Sequence, residues 1–266
     1  MLRKLSCIIF VSYTLLFNSC KLEDDDKAKI SIGFSQSIDY DIWRKSMDHA
    51  MEVEASLHTE VKLTIYNAKK KAKKQIDDIE KFIADKVDVI IVSPFESDSI
   101  IPVIEKANAI GIPVIIVDRK VNTSNYTAYL GADNVEVGRI AGRHIVSLSK
   151  GNANVIEIKG ASYTSPGLER TMGFRQIIEQ YPGVKVISID AKKDELPKDV
   201  FVNILKNAPE INYVFAYNDV IAYQAWKVAK GEKTKNKIKF IGVDGLNGPN
   251  GGIQLVQDGI LEATIL

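Results

Sequence analysis

The feature that most constrains the fold is an alternation of short aliphatic, β-branched segments with longer segments whose apolar residues recur at helical spacing. The strand-like segments are "KISIGFS", "VKLTIY", "VDVIIVS" and "IPVIIVD", and helix-like segments separate them at about residues 40–57, 70–85 and around "SIIPVIEKANAI". Aliphatic strands that alternate with helices are typical of a parallel sheet covered on both faces. The sequence therefore predicts an α/β fold.

The alternation restarts after a further strand, "TAYLGAD". Helix-like segments at about 134–149, 167–180, 198–207 and 219–230 then alternate with "NVIEIKG", "VKVISID", "INYVFAY" and "KIKFIGVD". Two doubly wound parallel-sheet lobes explain 266 residues better than one very wide sheet. We expect an N-terminal lobe over residues 30–131, a C-terminal lobe over 132–259 and a hinge strand in 260–266.

The first 29 residues differ in composition from the rest. Arg3 and Lys4 precede the apolar stretch "LSCIIFVSYTLLF", which is too short to span a membrane comfortably, so residues 1–20 are predicted to be a secretory or lipoprotein signal. Cys20 follows a small residue, as in a lipoprotein cleavage box, and both a lipidated and an unmodified Cys20 stay open. Residues 21–29 are polar and charged and would form a linker.

Composition narrows the class of function. Hydrophobic residues make up 45% and charged residues 26% of a chain with net charge +1, which is typical of a globular protein and gives no reason to expect nucleic acid as a partner. The basic run "KKKAKK" is followed by acidic residues at helical distance, so we interpret it as a solvated helix start. Neither a metal site nor a cofactor is predicted, because no Cys or His lies at ligand spacing from His49, His58 or His144.

One detail is repeated between the halves. "GIPVIIVDRK" and "KIKFIGVDGLNG" are both buried strands that end in Val-Asp, at Asp118 and Asp244. Ligands bind outside the carboxyl ends of strands in open parallel sheets. If the lobes face each other through these edges, the two carboxylates line one cleft. Lys120, in contrast, is expected to be ordinary loop surface.

Polar or aromatic residues follow three other predicted strands as well, and those we select are Gln36, Asp41, Trp43, Arg44, Arg170 and Asn218. A sugar hydroxyl both donates and accepts hydrogen bonds, so its site needs carboxylates, guanidinium groups and amides. That mixture is supplied by Asp118, Arg119, Arg170, Asn218 and Asp244. Trp43 adds a flat apolar face on which a sugar ring could stack.

Asn218 and Asp219 have a second interpretation. Either side chain could cap the helix that follows, because Asn and Asp accept hydrogen bonds from the free amides of a first helical turn. Capping is favoured more strongly for Asp219 than for Asn218. Both interpretations of Asn218 stay open.

Seven segments in order, "IGFSQ…WRKSM", "VDVIIVSP", "GIPVIIVDR", "YLGADNVEVGRIAG", "ERTMGF", "VFAYND" and "FIGVDG", resemble the type I periplasmic sugar-binding proteins, the ribose-binding group. The resemblance runs from about residue 29 to the end. It implies two α/β lobes joined by a hinge, and a small carbohydrate bound between them. By resemblance, the aromatic residue after the first strand stacks on the sugar, and the charged and amide residues bind hydroxyls; the matching positions are Trp43, Asp118, Arg119, Arg170, Asn218 and Asp244.

Two segments depart from the simple ribose binders. The family continues past "ILEATIL", whereas this chain ends at Leu266, so we expect the C-terminal end of the fold to be missing. "SQSIDYDIWRKSM" and "VDGLNGPNGGIQLVQDG" are more similar to the periplasmic sensor domains of hybrid two-component regulators. That resemblance implies a periplasmic or envelope location, a membrane anchor at the N-terminus or through a missing C-terminal span, a possible homodimer, and any kinase activity only in the missing part.

The favoured function is therefore sugar sensing without catalysis. A sugar-binding lipoprotein of an ABC transporter would have the same lobes. A soluble α/β enzyme acting on a sugar is the alternative from another class, although neither a G-x-S-x-G elbow nor a Ser, His and Asp set at strand ends is recognisable.

Overall fold

The computed structural model describes residues 30–162, 164–191, 195–208, 210–232 and 237–266. The predicted signal with Cys20 and the predicted linker at 21–29 lie outside the described residues. The strands are β1 (Ile30–Gln36), β2 (Val61–Asn67), β3 (Val89–Val92), β4 (Val114–Val117), β5 (Ala128–Leu130), β6 (Ala153–Lys159), β7 (Val184–Asp190), β8 (Tyr213–Ala216), β9 (Lys239–Val243) and β10 (Ala263–Ile265). The helices are α1 (Ile42–Ser56), α2 (Ala72–Ala84), α3 (Ile101–Ala109), α4 (Asn134–Ser149), α5 (Ser165–Ile178), α6 (Lys198–Asn207), α7 (Asp219–Gly231) and α8 (Gly252–Gln257).

The strands form two separate five-stranded sheets. Their orders are β2-β1-β3-β4-β5 and β10-β9-β8-β6-β7, and every pairing between neighbours is parallel. In each sheet the order reverses beside the first strand of the lobe, which is the kind of switch point at which α/β folds open a crevice. The predicted fold class, two doubly wound α/β lobes, is confirmed.

Each sheet carries its own apolar core. In the first lobe, fully buried residues such as Phe82, Ile104 and Ile116 pack α2 and α3 on strands β3 and β4. In the second lobe, one cluster built around Phe201 and Phe240 and another built around Phe174 and Phe215 cover the two faces of the sheet. Strands β8 and β9 therefore have the two-sided burial that their composition predicts, whereas β3 alternates between buried and half-buried residues.

Helices α4 and α5 approach each other closely because glycine lies at their crossing. A Cβ atom at Gly138 would collide with the carbonyl oxygen of Arg170, and one at Gly173 would collide with that of Val135. The close approach places the first half of α5, including Arg170, beside the start of α4.

Helix α8 and strand β10 lie at the C-terminal end of the described chain. The short helix α8 was not predicted, since six residues beginning with glycine give no readable helical period. Strand β10 is the edge strand of the second sheet, beside β9. The assignment of residues 260–266 as a hinge strand stays a prediction, as do the lobe boundaries 30–131 and 132–259.

Candidate ligand-binding cleft

A cleft with a volume of about 990 Å³ opens at the carboxyl ends of strands from both sheets. Eight of the nine residues predicted to bind a ligand line it: Asp41, Trp43, Arg44, Asp118, Arg119, Arg170, Asn218 and Asp244. Gln36 is not among the lining residues; it is fully buried behind Arg44. The sequence pattern therefore located the cleft, and the structure assigns Gln36 a supporting position.

Arg44 is the centre of the first-lobe side of the cleft. It is only 4% exposed, and its guanidinium donates to Gln36 Oε1 at 3.0 Å, Ser93 Oγ at 2.7 Å and Asp118 Oδ2 at 2.6 Å. Asp41 fixes the start of α1, because its side chain accepts from the Arg44 amide at 2.8 Å as an N-cap. A buried arginine with charged and polar acceptors on several sides has little freedom to move, so the Asp118 carboxylate is held in place before a ligand arrives.

The backbone also fixes Asp118. Its φ of 64° lies in the left-handed region, which is uncommon for residues other than glycine. The Asp118 amide donates to the Leu130 carbonyl at 2.8 Å, and the Tyr129 hydroxyl donates to the Asp118 carbonyl at 3.0 Å. Burial and the nearby Asp118 carboxylate raise the pKa of Tyr129 to about 12, so the hydroxyl keeps its proton.

Arg119 and Trp43 complete the first-lobe wall. Arg119 Nη1 lies 3.4 Å from the Pro94 carbonyl and 3.3 Å from the Phe95 carbonyl, and its Nε lies 3.8 Å from Asp118 Oδ2. Trp43 is half-buried, and the Arg44 guanidinium lies 5.4 Å from its ring centroid. The flat ring is thus packed against a cation on one side while it also borders the cleft.

The second-lobe wall is organised by Arg170. Its Nε donates to Asn134 Oδ1 at 2.9 Å, one Nη donates to the Tyr217 carbonyl, and the same nitrogen lies 3.7 Å from Asp244 Oδ1. Asn218 is the N-cap of α7, with its Oδ1 accepting from the Ile221 amide at 2.9 Å, and it lines the cleft as well. The cap interpretation of Asn218 is therefore confirmed, and its binding of a ligand stays a prediction.

Asp244 is the most perturbed carboxyl group of the cleft. Burial raises its pKa to about 7; Arg170 opposes the shift, and the negative charges of Asp219, Asp118 and Asp41 add to it. Its φ is 115°, and its amide donates to the Ile265 carbonyl at 3.0 Å. A strained backbone thus presents a poorly solvated carboxylate to the cleft.

Asp219 differs from its prediction as a helix cap. Asn218 caps α7, whereas Asp219 is its first residue, is 4% exposed and accepts from the Gly245 amide at 2.9 Å and the Thr264 hydroxyl at 2.8 Å. Burial raises the pKa of Asp219 to about 6, against the opposing hydrogen bonds. Cap preference is a local signal, and it could not reveal partners that lie 26 and 45 positions away along the chain.

Lys120 lies in a loop with its side chain 43% exposed, as predicted, but it has partners that the prediction did not include. Its ammonium group donates to Glu169 Oε1 at 2.7 Å and its amide donates to Ser165 Oγ at 2.8 Å, and both partners belong to helix α5 beside the second sheet. Lys120 therefore joins the chain after β4 to the other half of the molecule. A loop lysine carries no sequence signal for a partner 49 positions away.

The cleft also has polar lining residues that the sequence argument did not select, which are Tyr40, Lys70, Asn134, Thr164, Glu195, Tyr217, Asp219, Gln224 and Asn250. In the described part of the chain, no group of three or more His, Cys, Asp or Glu side chains has an arrangement that could hold a metal ion. Over the same residues, none of the helices combines the length and apolar character needed to cross a membrane.

Comparison with known proteins gives one consistent family. Residues 32–266 match the family described as periplasmic binding protein domain. The ribose import binding protein RbsB of Bacillus subtilis is 28% identical over 275 residues, which cover 99% of this chain and 88% of that protein. The galactofuranose-binding protein YtfQ of Escherichia coli is 29% identical over 231 residues, or 82% of this chain and 72% of that protein.

Solved structures agree with the sequence relatives. The fructose-binding periplasmic domain of the hybrid two-component system BT1754 is 37% identical with a TM-score of 0.83, covering 88% of this chain and 79% of that one. The periplasmic binding protein of the arabinose ABC transporter from Shewanella sp. ANA-3 is 30% identical with a TM-score of 0.80, covering 89% and 80%. With the matched fold and a cleft between two parallel sheets, the chain belongs to the periplasmic binding protein domain family, as its resemblance to the ribose-binding group predicted.

Proposed function

We propose that the protein binds a small, neutral monosaccharide in the cleft between its lobes and serves as the periplasmic sensing domain of a signalling receptor. The observation that carries this proposal is the paired arrangement of arginine and carboxylate groups on opposite walls of one cleft: Arg44 with Asp118, and Arg170 with Asp244. Fixed donors and fixed acceptors at close range suit hydroxyl groups, which need both.

The charge balance of the cleft favours a neutral ligand. Five acidic side chains and four basic side chains line it, so no excess of positive charge is present to bind a sugar acid or a phosphate. Trp43 offers an apolar face among these polar groups, which suits the C–H face of a sugar ring. We infer that hydroxyls are bound by Asp41, Arg44, Asp118, Arg119, Arg170, Asn218 and Asp244.

Binding would act by lobe closure. In the open form the two walls are hydrated separately, and a sugar that contacts both replaces this water with hydrogen bonds that bridge the lobes. The ligand shifts the population toward the closed form because it makes more contacts there. Any signal is then the changed distance between the lobes.

The relatives support two readings of that signal. The sensing role draws on 37% identity to a periplasmic domain of a hybrid two-component system, and a transport role draws on the import proteins at 28 to 30% identity. We favour the sensing role. With it we propose a periplasmic or envelope location, a membrane anchor and a possible homodimer, while delivery of sugar to an ABC permease is the second candidate.

A thermal-shift panel tests the binding proposal. D-fructose, D-ribose and L-arabinose are compared with glucuronate, because a ligand that binds only the folded protein raises its melting temperature. We expect at least one neutral sugar to stabilise the protein and glucuronate to have no effect. A panel without any shift, or turnover of the bound sugar, would contradict the proposal, and turnover would favour an enzyme.

A further inference from the structure

Asp219 is a buried carboxylate that accepts a hydrogen bond from the backbone of a neighbouring turn. Its Oδ2 accepts from the Gly245 amide at 2.9 Å and from the Thr264 hydroxyl at 2.8 Å, and the Gly245 amide also lies 3.1 Å from Thr264 Oγ1. The three residues come from the start of α7, the turn after β9 and strand β10. One carboxylate oxygen therefore ties three elements together directly after Asp244.

The sequence leaves room for this carboxylate. A Cβ atom at Gly242 or at Gly252 would collide with the Asp219 side chain, so both positions need glycine for Asp219 to fit. Two glycines on two different elements pack around one buried acid. The Asp219 site is therefore built by the fold and is more than a consequence of helix capping.

Asp244 needs such a support because its backbone is strained. With φ at 115° it lies in a region that side-chain-bearing residues rarely adopt, and the following residue, Gly245, has φ at 57°. Strained conformations persist only where the surroundings fix them. The hydrogen bond from the Gly245 amide to Asp219 fixes the turn on one side of Asp244, and the bond from the Asp244 amide to the Ile265 carbonyl fixes it on the other.

We propose that Asp219 is a positioning residue for ligand binding: by holding the Gly245 amide, it keeps the Asp244 carboxylate directed into the cleft. This inference rests on the proposed function of the cleft. Asp219 acts on the ligand through Asp244, and its removal changes affinity only where the Asp244 carboxylate is present.

Asp219 also acts on the charge of Asp244. The groups that face the Asp244 carboxyl are Arg170 from α5, Asp219 from α7, Asp118 from the turn after β4 and Asp41 before α1. The negative charge of Asp219 favours the protonated form of Asp244. In the Asp219→Asn variant the titration midpoint of Asp244, followed by carboxyl-carbon NMR, should therefore move to lower pH; an unchanged midpoint would contradict a direct coupling.

Amide hydrogen exchange tests the positioning without a ligand. In Asp219→Ala the Gly245 amide loses its carboxylate acceptor, so we expect its exchange to accelerate about tenfold or more. In Asp219→Asn an acceptor oxygen remains and exchange should stay close to that of the unchanged protein. The Asp118 amide is the internal reference, because it donates to the Leu130 carbonyl within the first lobe, away from Asp219, and its exchange should not change. Unchanged exchange at Gly245 in Asp219→Ala would overturn the proposal.

A double-mutant cycle tests the effect on binding, with D-fructose as the first probe and D-ribose as the second. Asp219→Ala should weaken affinity about 10- to 100-fold, as loss of a buried hydrogen bond to a charged group does. In an Asp244→Ala background the same change should have almost no further effect, because no polar side chain at position 244 remains to be positioned. In an Asp118→Asn background it should keep its full effect. Equal losses in all three backgrounds would show a general structural role and overturn the proposal.

Two further points separate the possible failures. If Asp219→Ala does not fold, Asp219→Asn and Thr264→Val carry the exchange experiment, with a smaller acceleration expected for Thr264→Val. If the unchanged protein binds no sugar, the proposed function fails, whereas the exchange at Gly245 still decides whether Asp219 holds the turn.

Discussion

The two Val-Asp turns, one in each lobe, share a backbone hydrogen-bond pattern and differ in electrostatics. Asp118 and Asp244 both have positive φ, and each amide donates to the carbonyl of the last residue of the neighbouring edge strand, Leu130 or Ile265. Their carboxylates differ: Asp118 lies 2.6 Å from a buried arginine, whereas Asp244 lies 3.7 Å from Arg170.

The difference suggests that Asp118 and Asp244 contribute to ligand binding in different ways. The first-lobe carboxylate has its charge partner before any ligand binds, so it presents a rigid, preorganised surface. The second-lobe carboxylate is about as exposed as Asp118, at 18% against 16%, but its charge partner is more distant, and desolvation raises its pKa to about 7. We therefore expect hydroxyl donors from a ligand to matter most at Asp244, and rigidity to matter most at Asp118.

The largest effect should come from Asp118→Ala. The change removes an acceptor for the ligand and leaves the Arg44 guanidinium without its closest carboxylate, which costs about 2 to 5 kcal/mol of binding free energy. We expect no detectable sugar binding by calorimetry from a protein that still folds.

Asp118→Asn is the matched control for that prediction. Asparagine keeps an acceptor for Arg44 and tolerates the left-handed backbone better than alanine does, so its affinity should lie between those of the two other proteins. Unchanged affinity in Asp118→Ala would defeat the assignment of Asp118 to the site.

The next effect concerns stability and its dependence on pH. Because the pKa of Asp244 is raised from 3.8 to about 7, the folded protein binds more protons than the unfolded chain between these values, and the contribution of Asp244 to stability is lost as pH rises through that window. Asp244→Asn removes this poorly solvated charge, so the ligand-free variant should be more stable than the unchanged protein at pH 8. We expect about 2 kcal/mol, less than the roughly 4 kcal/mol of the full shift, because the side chain is 18% exposed.

Denaturant unfolding at a series of pH values checks this prediction. The advantage of Asp244→Asn should shrink below pH 7 and disappear near pH 4, where the carboxyl group is protonated in both states. A stability difference that does not change with pH would contradict the raised pKa. The variant should also bind sugar more weakly, which would make Asp244 a site where function lowers stability.

The comparison of the two turns also shows what the sequence can predict. Periodicity and strand composition were sufficient for two α/β lobes, and the repeated Val-Asp ending placed Asp118 and Asp244 at one cleft. Gln36 was selected because it follows the first strand, but the side chain of Arg44 lies between it and the cleft. Strand ends predict which residues lie near an edge; they do not predict which side chain covers another.

Hydrogen-bond partners that are distant along the chain were the second feature that the sequence could not predict. Asp219 directly follows Asn218, and Lys120 directly follows Arg119. From the sequence, Asp219 was expected to cap a helix and Lys120 to lie on a loop surface. Their roles depend on contacts with Thr264 and Glu169, which only the packing of separate elements brings near. Such contacts have no local period or composition from which to infer them.

The smallest effect should come from the contact that joins the two halves, Lys120 with Glu169. One side chain is 43% exposed and the other 16%, so the ion pair stabilises the structure by about 0.2 to 1 kcal/mol. Glu169 directly precedes Arg170, and Lys120 follows Asp118 by two residues, so the pair fixes the two walls of the cleft relative to each other.

We expect Glu169→Gln to broaden the distribution of distances between spin labels placed one on each sheet of the ligand-free protein, while sugar affinity falls less than about fivefold. Glu80→Gln is the matched control, since Glu80 pairs with Lys106 at 2.6 Å between α2 and α3, next to one sheet only. If both variants broaden the distribution equally, the effect is one of general stability and the contact does not restrain the lobes. If only Glu169→Gln broadens the distribution, the Lys120–Glu169 ion pair restrains the two lobes beside the cleft residues of both walls. Lobe closure must then start from a partly fixed geometry, because the lobes do not move freely relative to each other.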